Sequence, residues 1–469
     1  MTQLIRKDLR PAKDVWTPTS ARLQAGIAQR IINPPIGIRT AGWGAAKVFT
    51  ATGIHNKIST TALAIVSSGK FIQYLVTVDW GWWQGKADDW AVRGEIIKSL
   101  GIKEDQLQLH LTHTHAGPTT ASDAAHLEGG DLVSGYHARA IAEIISACEE
   151  ARNQSQEANI TWGYGKCDLA VNRDLPCGTE DVVGFNPGLP ADDTLAVGRV
   201  SDLAGKTLGI IVNYACHPTT LAWRNTKVSP DFVGGARDLV EERVKAPMLF
   251  LQGASGELSP RDNYSGDVDV ADKNGRILGF ATLAVLEKMA HPGMRMRYLA
   301  SVESGALLGD WDNEVFIPPS EVSHVRINVD VPLQKLPTIE ELRQRWKDVE
   351  EGARETRINR AMKLRTGYVI DGAAIHPVWI WMWGDAVIVG QPGEAYSYFQ
   401  MELRRRHPDR VIFVLNCTNG PGYMYLPTPD AYERHRYQAW QTLLAPGALE
   451  KITNEVSEEI LKFSKNLNL

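Results

Sequence analysis

The stretch TALAIVSSGKFIQYLVTVD, residues 61–79, decides the fold class. Two short apolar runs, 61–66 and 71–78, flank a Ser-Ser-Gly turn, which predicts two strands joined tightly. Asp79 closes the second run, and a carboxylate at a strand end either marks a site or caps the segment that follows. Outward from this pair the spacing predicts helices over 87–100 and 132–153. The second carries Ala138, Ala140, Ile141, Ile144, Ile145 and Cys148 on a recurring apolar stripe. Further buried strands are expected at 208–212, 247–252, 387–390 and 410–415, and an amphipathic helix near 446–463. Residues 336–364 read as one long charged helical stretch with Leu342, Trp346, Val349 and Ala353 on its apolar face; it either packs across the body or projects as a helical hairpin. Strands followed by helices predict an α/β fold, a large mixed sheet flanked by helices.

The bulk numbers exclude several classes. Fifty basic against fifty-five acidic side chains give a formal charge of -5, so no general field attracts a polyanion and no nucleic-acid partner is expected. Arg404, Arg405 and Arg406 read as the wet face and end of a helix. Cys148, Cys167, Cys177, Cys216 and Cys417 are too scattered for a disulfide framework or a thiolate zinc cluster, and reduced thiols are expected. The start of the chain lacks the apolar core of a secretory signal, and no run of apolar residues is long enough to span a bilayer. The chain reads as cytoplasmic unless an export signal precedes it; oligomerisation stays open.

Five short stretches carry candidate chemistry. In Leu109-His110-Leu111-Thr112-His113-Thr114-His115, an extended backbone would put His113 and His115 on one side, where two imidazoles hold a cation or divide labour between ligand and proton carrier. His110 has the opposite parity. Asn213-Tyr214-Ala215-Cys216-His217-Pro218 ends a strand-like run in a second imidazole, suited when neutral to zinc, with Cys216 turned into the core. Val389-Gly390-Gln391-Pro392-Gly393-Glu394 empties a strand into a turn that presents a carboxylate, followed by a helix expected to start near Ala395; taken alone, Glu394 reads first as a charge at a helix start, favoured by the dipole. The Gly- and Pro-rich loop from Asn419 through Tyr423 and Tyr425 to Tyr432 holds its tyrosines at fixed positions. Gly253-Ala254-Ser255-Gly256 has the wrong spacing for a nucleophile elbow, and its hydroxyl and amides either bind a polar substrate head or satisfy turns. Asp262, Asp267, Asp269 and Asp272 form an acidic cluster without calcium-loop spacing, which reads as a solvated surface, with a secondary Ca2+ or Mg2+ site as the alternative. Trp82 and Trp83 offer aromatic planes to a substrate, whereas Trp379, Trp381 and Trp383 at period two read as packing beneath a sheet.

Taken together, Thr112 to Pro118, Asn172-Arg173, Asn213 to Thr219, Gly256-Glu257-Leu258-Ser259-Pro260, Pro392-Gly393-Glu394 and Tyr425-Leu426-Pro427-Thr428-Pro429 with Tyr432 and Tyr437 resemble the N-terminal catalytic domain of the neutral/alkaline, non-lysosomal ceramidases. The resemblance implies a Zn2+ site of His113, His217, Glu394 and Tyr425, with His115, Arg173 and Tyr437 lining the reacting centre and Ser259 in a substrate-binding loop. It implies hydrolysis of an N-acyl amide, ceramide to sphingosine and fatty acid. Glu257 stands where the family usually has aspartate, Arg261 where asparagine follows, and Pro218 where glycine is common. On this reading residues 1–469 are a single catalytic domain, with a helical hairpin insertion near 336–364 and without the family's C-terminal β-sandwich. The alternatives are a zinc hydrolase of a smaller polar amide or ester, and a non-enzymatic carbohydrate-binding protein.

Overall fold

A computed structural model describes residues 5–40, 43–67, 71–365, 369–370, 373–420, 422 and 424–466. The expected strand pair forms, Ser59–Ser67 antiparallel to Phe71–Val78; residues 68–70, and with them the turn, lie outside the described residues, as do Pro421 and Tyr423. Both strands are nearly continuous apolar runs because both faces are buried. Ala62, Ala64, Tyr74 and Val76 face one core, and Leu63, Ile65 and Leu75 face another.

These strands belong to an eight-stranded mixed sheet. Its order is Met248–Gln252, Thr207–Tyr214, Thr194–Asp202, Gln156–Lys166, Ser20–Ile31, Ser59–Ser67, Phe71–Val78, Leu107–Leu111. The two outermost pairings are parallel and the inner ones antiparallel. Each parallel edge is reached through a helix, Lys86–Leu100 on one side and Phe232–Val244 on the other. A parallel neighbour requires such a crossover. A second sheet orders Val322–Val331, Ala373–Trp383, Ala386–Gly390 and Val411–Leu415.

Four buried clusters fix the layering. Leu63, Trp162, Trp381, Trp383, Ile388 and Phe413 share the core between the two sheets. The outer face of the large sheet is covered by Asp131–Asn153 at one end and by Phe232–Val244 with Val268–Lys288 at the other. Ala448–Asn466 and Tyr398–Arg406 cover the outer face of the small sheet. The result is helix, sheet, sheet, helix, the mixed α/β architecture expected. Trp381 and Trp383 are packing residues, their indole N–H groups bonded to Asp105 O at 3.0 Å and Gln73 Oε1 at 2.7 Å.

Two local expectations need correction, and the stretch 336–364 gains a defined break. In Asp131–Asn153 the buried stripe is Val133, Tyr136, Ala140, Ile144, Ala147, Cys148 and Ala151, while Ala138 is exposed. Residues 336–364 form two helices, Ile339–Arg345 and Glu351–Arg365, broken where Trp346 turns onto Trp440 at 5.5 Å between ring centroids. Glu350 then accepts the N–H groups of Gly352 and Ala353, capping the second helix. Ala395 starts no helix: Glu394–Ala395 is a two-residue strand parallel to Tyr425–Leu426, and the helix begins at Tyr398. All five cysteines are free. Among the described residues no helix is long and apolar enough to cross a membrane.

Candidate metal centre

Three residues of the candidate centre sit just past the C-terminal end of a sheet strand: His113 follows Leu107–Leu111, His217 follows Thr207–Tyr214 and Glu394 follows Ala386–Gly390. Tyr425 opens the short strand Tyr425–Leu426, reached by the loop that leaves Val411–Leu415. Glu394 and Tyr425 are register partners in their short parallel ribbon. The ribbon needs glycine, because a Cβ on Gly422 would lie 2.4 Å from Gly393 Cα.

His113 is not on an extended strand as the parity argument assumed; its φ is +68°, a left-handed turn uncommon outside glycine. The turn is held by His113 N–H to Trp80 O at 2.9 Å and His115 N–H to Pro218 O at 3.2 Å. The rings still meet, with His115 Nε2 3.4 Å from His113 Nε2. Ligand atoms of His113, His115 and His217 all lie within 4.8 Å of one another. Among the described residues this is the one group of three or more His, Cys, Asp or Glu positioned to share an ion.

Hydrogen bonds fix the tautomers of the two innermost rings. His113 Nδ1 donates to Gly81 O at 3.0 Å and His217 Nδ1 to Ser255 O at 2.7 Å. Carbonyls only accept, so both Nδ1 atoms carry protons and both Nε2 atoms, when the rings are neutral, present lone pairs. Glu394 Oε2 lies 3.4 Å from His113 Nε2 and 3.0 Å from His217 Nε2. Lone pairs this close require a positive charge among them, a proton or a metal ion. Arg173 shows the same demand: its Nη2 lies 3.2 Å from His217 Nε2, 3.2 Å from the Tyr425 hydroxyl and 2.7 Å from Gly256 O.

The electrostatics follow from this crowding. Burial disfavours a charged His113, but Cys417 and Glu394 outweigh it and raise the ring well above its usual value. His217 is pushed down to about 3 by burial and by Arg173. Burial, then His113 and His217, hold His115 well below the usual imidazole range. Glu394 is kept ionised, because the two imidazoles overcome its burial. The donor set, two fixed imidazoles with a carboxylate between them and every second-nitrogen proton committed to a carbonyl, fits a borderline cation such as zinc.

The other expected site residues fall at varied distances. Trp82 packs on His115 and His113 at 4.8 and 5.8 Å between centroids, whereas Trp83 is buried against Trp80. Tyr437 reaches Tyr425 ring to ring at 5.7 Å. Ser259 is buried on the Leu258–Pro260 ribbon opposite Val171, two residues from Arg173. His110 is structural: Gln252 N–H donates to its Nε2 at 2.8 Å and its Nδ1 meets Thr418 Oγ1 at 3.0 Å. The acidic cluster disperses, since Asp262 pairs with Lys273, Asp267 caps the helix at Asp269 N–H, and Asp272 faces His55.

Sequence reasoning flagged Asp79 as a strand-end carboxylate but not its partners, and it missed the other groups that aim these side chains. Asp79 is fully buried, pairs bidentately with Arg237 at 2.7 and 2.8 Å, and accepts from Ser59 N–H and Thr112 Oγ1 at 2.8 and 3.1 Å. It thereby anchors the residue before His113. Cys417 Sγ lies 3.5 Å from His113 Nδ1, and Trp43 lies 5.2 Å from His115 between centroids. Two clefts open on the cluster. One, about 460 Å3, is lined by Trp82, Trp83, Arg360, Leu364 and Glu394 among others; the second, about 320 Å3, is lined by Trp43, His115, Trp223 and Lys227.

Glu257, the departure from the expected aspartate, is a positioning group. Its carboxyl accepts Ser397 N–H at 2.9 and 3.0 Å and the Ser397 hydroxyl, while its carbonyl accepts Arg173 N–H at 2.8 Å. Burial pushes the carboxyl up to about 8, with the Ser397 bonds opposing. The fold therefore favours the protonated acid. That advantage is complete below the unfolded value of 4.5 and is lost as pH rises toward about 8. Glu257→Gln is expected to flatten the fall in melting temperature across this window; a wild type that falls no faster than the variant contradicts the assignment.

Residues 25–268 match the family described as neutral/alkaline non-lysosomal ceramidase, N-terminal. Among solved structures, the fold is similar to that of the neutral ceramidase from Pseudomonas aeruginosa, at 17% identity and a TM-score of 0.67, covering 94% of this chain and 74% of that one. A ceramidase complexed with C2 is similar at 16% identity and a TM-score of 0.65, covering 93% of this chain and 74% of that one. No curated protein sequence matches the chain.

Proposed function

Because the chain belongs to the neutral/alkaline non-lysosomal ceramidase family, we propose that it is a zinc-dependent hydrolase of N-acyl amides, with His113, His217, Glu394 and Tyr425 as the ligands. The observation that carries this reading is the convergence of two imidazole lone pairs on one Glu394 oxygen, at 3.4 and 3.0 Å. Zinc bound there supplies Lewis acidity and makes water acidic enough to lose a proton near neutral pH.

The chain's own residues supply the rest. His115, half-buried and held neutral, takes up a proton at Nε2 and returns it to the leaving amine. Arg173 directs Nη2 toward the centre from a buried seat on Gly256 O, and with Tyr437 it stabilises charge developing on the carbonyl oxygen. Burial and Glu394 keep the Tyr425 phenol protonated, against Arg173; losing that proton requires a stronger cation beside it. Trp82 shields the His115 side from water, and Trp83 forms part of the wall of the cleft on the Glu394 side. Ceramide is the substrate class the family points to.

The test is hydrolysis by chelator-stripped and zinc-reloaded protein of short- and long-chain ceramides, soluble N-acyl amines, N-acyl sugars and esters. Zinc-dependent amide cleavage is expected, and His115→Ala should keep its zinc while turnover drops about 10²- to 10⁴-fold with an altered pH profile. Absence of zinc-dependent cleavage across the set would overturn the reading.

A further inference from the structure

The cleft on the Glu394 side of the cluster is walled in part by the helix Glu351–Arg365, which contributes Arg360 and, about one turn on, Leu364. The helix is anchored. Ile358 is buried with Leu342 and Trp346, Arg357 lies over the Trp346 and Trp440 rings at 5.7 and 5.3 Å, and Lys363 pairs with Asp123 at 2.8 Å.

Among the described residues Arg360 forms no ion pair within 4.0 Å, and its polar contact is Nη1 to the Tyr437 hydroxyl at 3.4 Å. A guanidinium presents five N–H donors in a planar fork, of which a phenol oxygen occupies one. Among the described residues, the one other charged side chain lining the cleft is Glu394, which is engaged by His113 and His217. Among the described residues the cleft therefore holds a half-buried cation with no anionic partner, in the same space that Glu394 of the candidate metal centre lines. Leu364, Met424 and Trp83 supply apolar wall for a short methylene stem.

We propose that Arg360 is a specificity residue that receives a carboxylate, so that the preferred substrates are N-acyl amides ending in a carboxylate rather than neutral two-chain lipids. This rests on the amide-hydrolase reading above. A carboxylate matches the guanidinium fork in a bidentate pair, and partial burial strengthens that pair relative to water.

The carboxylate can sit on either side of the amide, so two matched pairs of zinc-loaded turnover assays are needed. One compares an N-acyl amino acid with the N-acyl amine lacking its carboxylate; the other compares an ω-carboxyacyl amide with its methyl-terminated counterpart. In one pair the wild type should favour the acid by about tenfold or more in kcat/KM, carried by KM. Arg360→Gln should collapse that ratio toward one, and Arg360→Lys should restore part of it. A wild-type ratio near one in both pairs overturns the proposal.

A second arm needs no turnover: calorimetric binding of hexanoate and hexanamide to metal-free wild type and Arg360→Gln. Hexanoate should bind wild type about tenfold more tightly than hexanamide does, a difference lost in the variant. Equal hexanoate affinity in both proteins overturns the proposal. Arg360-dependent hexanoate binding without cleavage of any amide would leave the anion site standing and sink the hydrolase reading. Amide cleavage indifferent to the carboxylate and to Arg360 would do the reverse.

Discussion

His113→Ala is expected to lose its metal and its activity together, with turnover falling about 10³-fold or more. The reason is geometric and electrostatic at once. His113 supplies one of the two fixed lone pairs facing Glu394 Oε2, and its ring is locked by Gly81 O at 3.0 Å. Removing it leaves a buried carboxylate beside one imidazole and Arg173, whose Nη2 already contacts His217 Nε2 at 3.2 Å. The guanidinium, not the metal, then becomes the nearest counter-charge. Metal analysis on dialysed protein, alongside turnover, checks this; a melting curve near that of the wild type would show that the loss is local. Full metal content with near-native turnover in the variant would remove His113 from the ligand set.

Asp79→Ala should cost about 3–5 kcal/mol of stability, because it strands Arg237 as an uncompensated buried charge. Arg237 is 5% exposed and reaches both Asp79 oxygens; Ser59 N–H and Thr112 Oγ1 lose their acceptor as well. The effect reaches the site, since Thr112 precedes His113 and its N–H is bonded to Val78 O at 2.9 Å. Urea denaturation of the two single variants and the double Asp79→Ala/Arg237→Ala variant checks the assignment. The double variant should be less destabilised than the sum of the singles, because neither charge is then left alone. A loss under about 1 kcal/mol in Asp79→Ala would show that the pair stabilises little.

Much of this was legible in the sequence where one physical signal dominated. Residues 61–66 and 71–78 had no competing period, and they form the strands expected. Trp381 and Trp383 at period two were readable as packing, and they pack. His113, His217, Glu394 and Tyr425 were each ambiguous alone; the motif combination, not local chemistry, selected them, and the fold brings their loops to one place. What remained illegible depended on partners distant in sequence. The turn at His113 follows from bonds to Trp80 and Pro218, so a parity rule for extended backbone could not anticipate it. A hairpin was one reading of 336–364, but the place of its break, where Trp346 packs on Trp440, depends on a residue distant in sequence. Asp79 was flagged as a strand-end carboxylate, but its partner Arg237 lies 158 residues away. Arg360 gave no signal, because an arginine on a charged helix is ordinarily a solvated side chain.

The most direct measurement is zinc-edge anomalous diffraction from crystals of the zinc-loaded protein. A single peak is expected about 2.0–2.1 Å from His113 Nε2 and His217 Nε2 and about 2.0–2.2 Å from a Glu394 oxygen, with the Tyr425 oxygen completing the set and His115 outside it. A peak bound elsewhere on the chain, or no peak after saturation with zinc, would contradict the account.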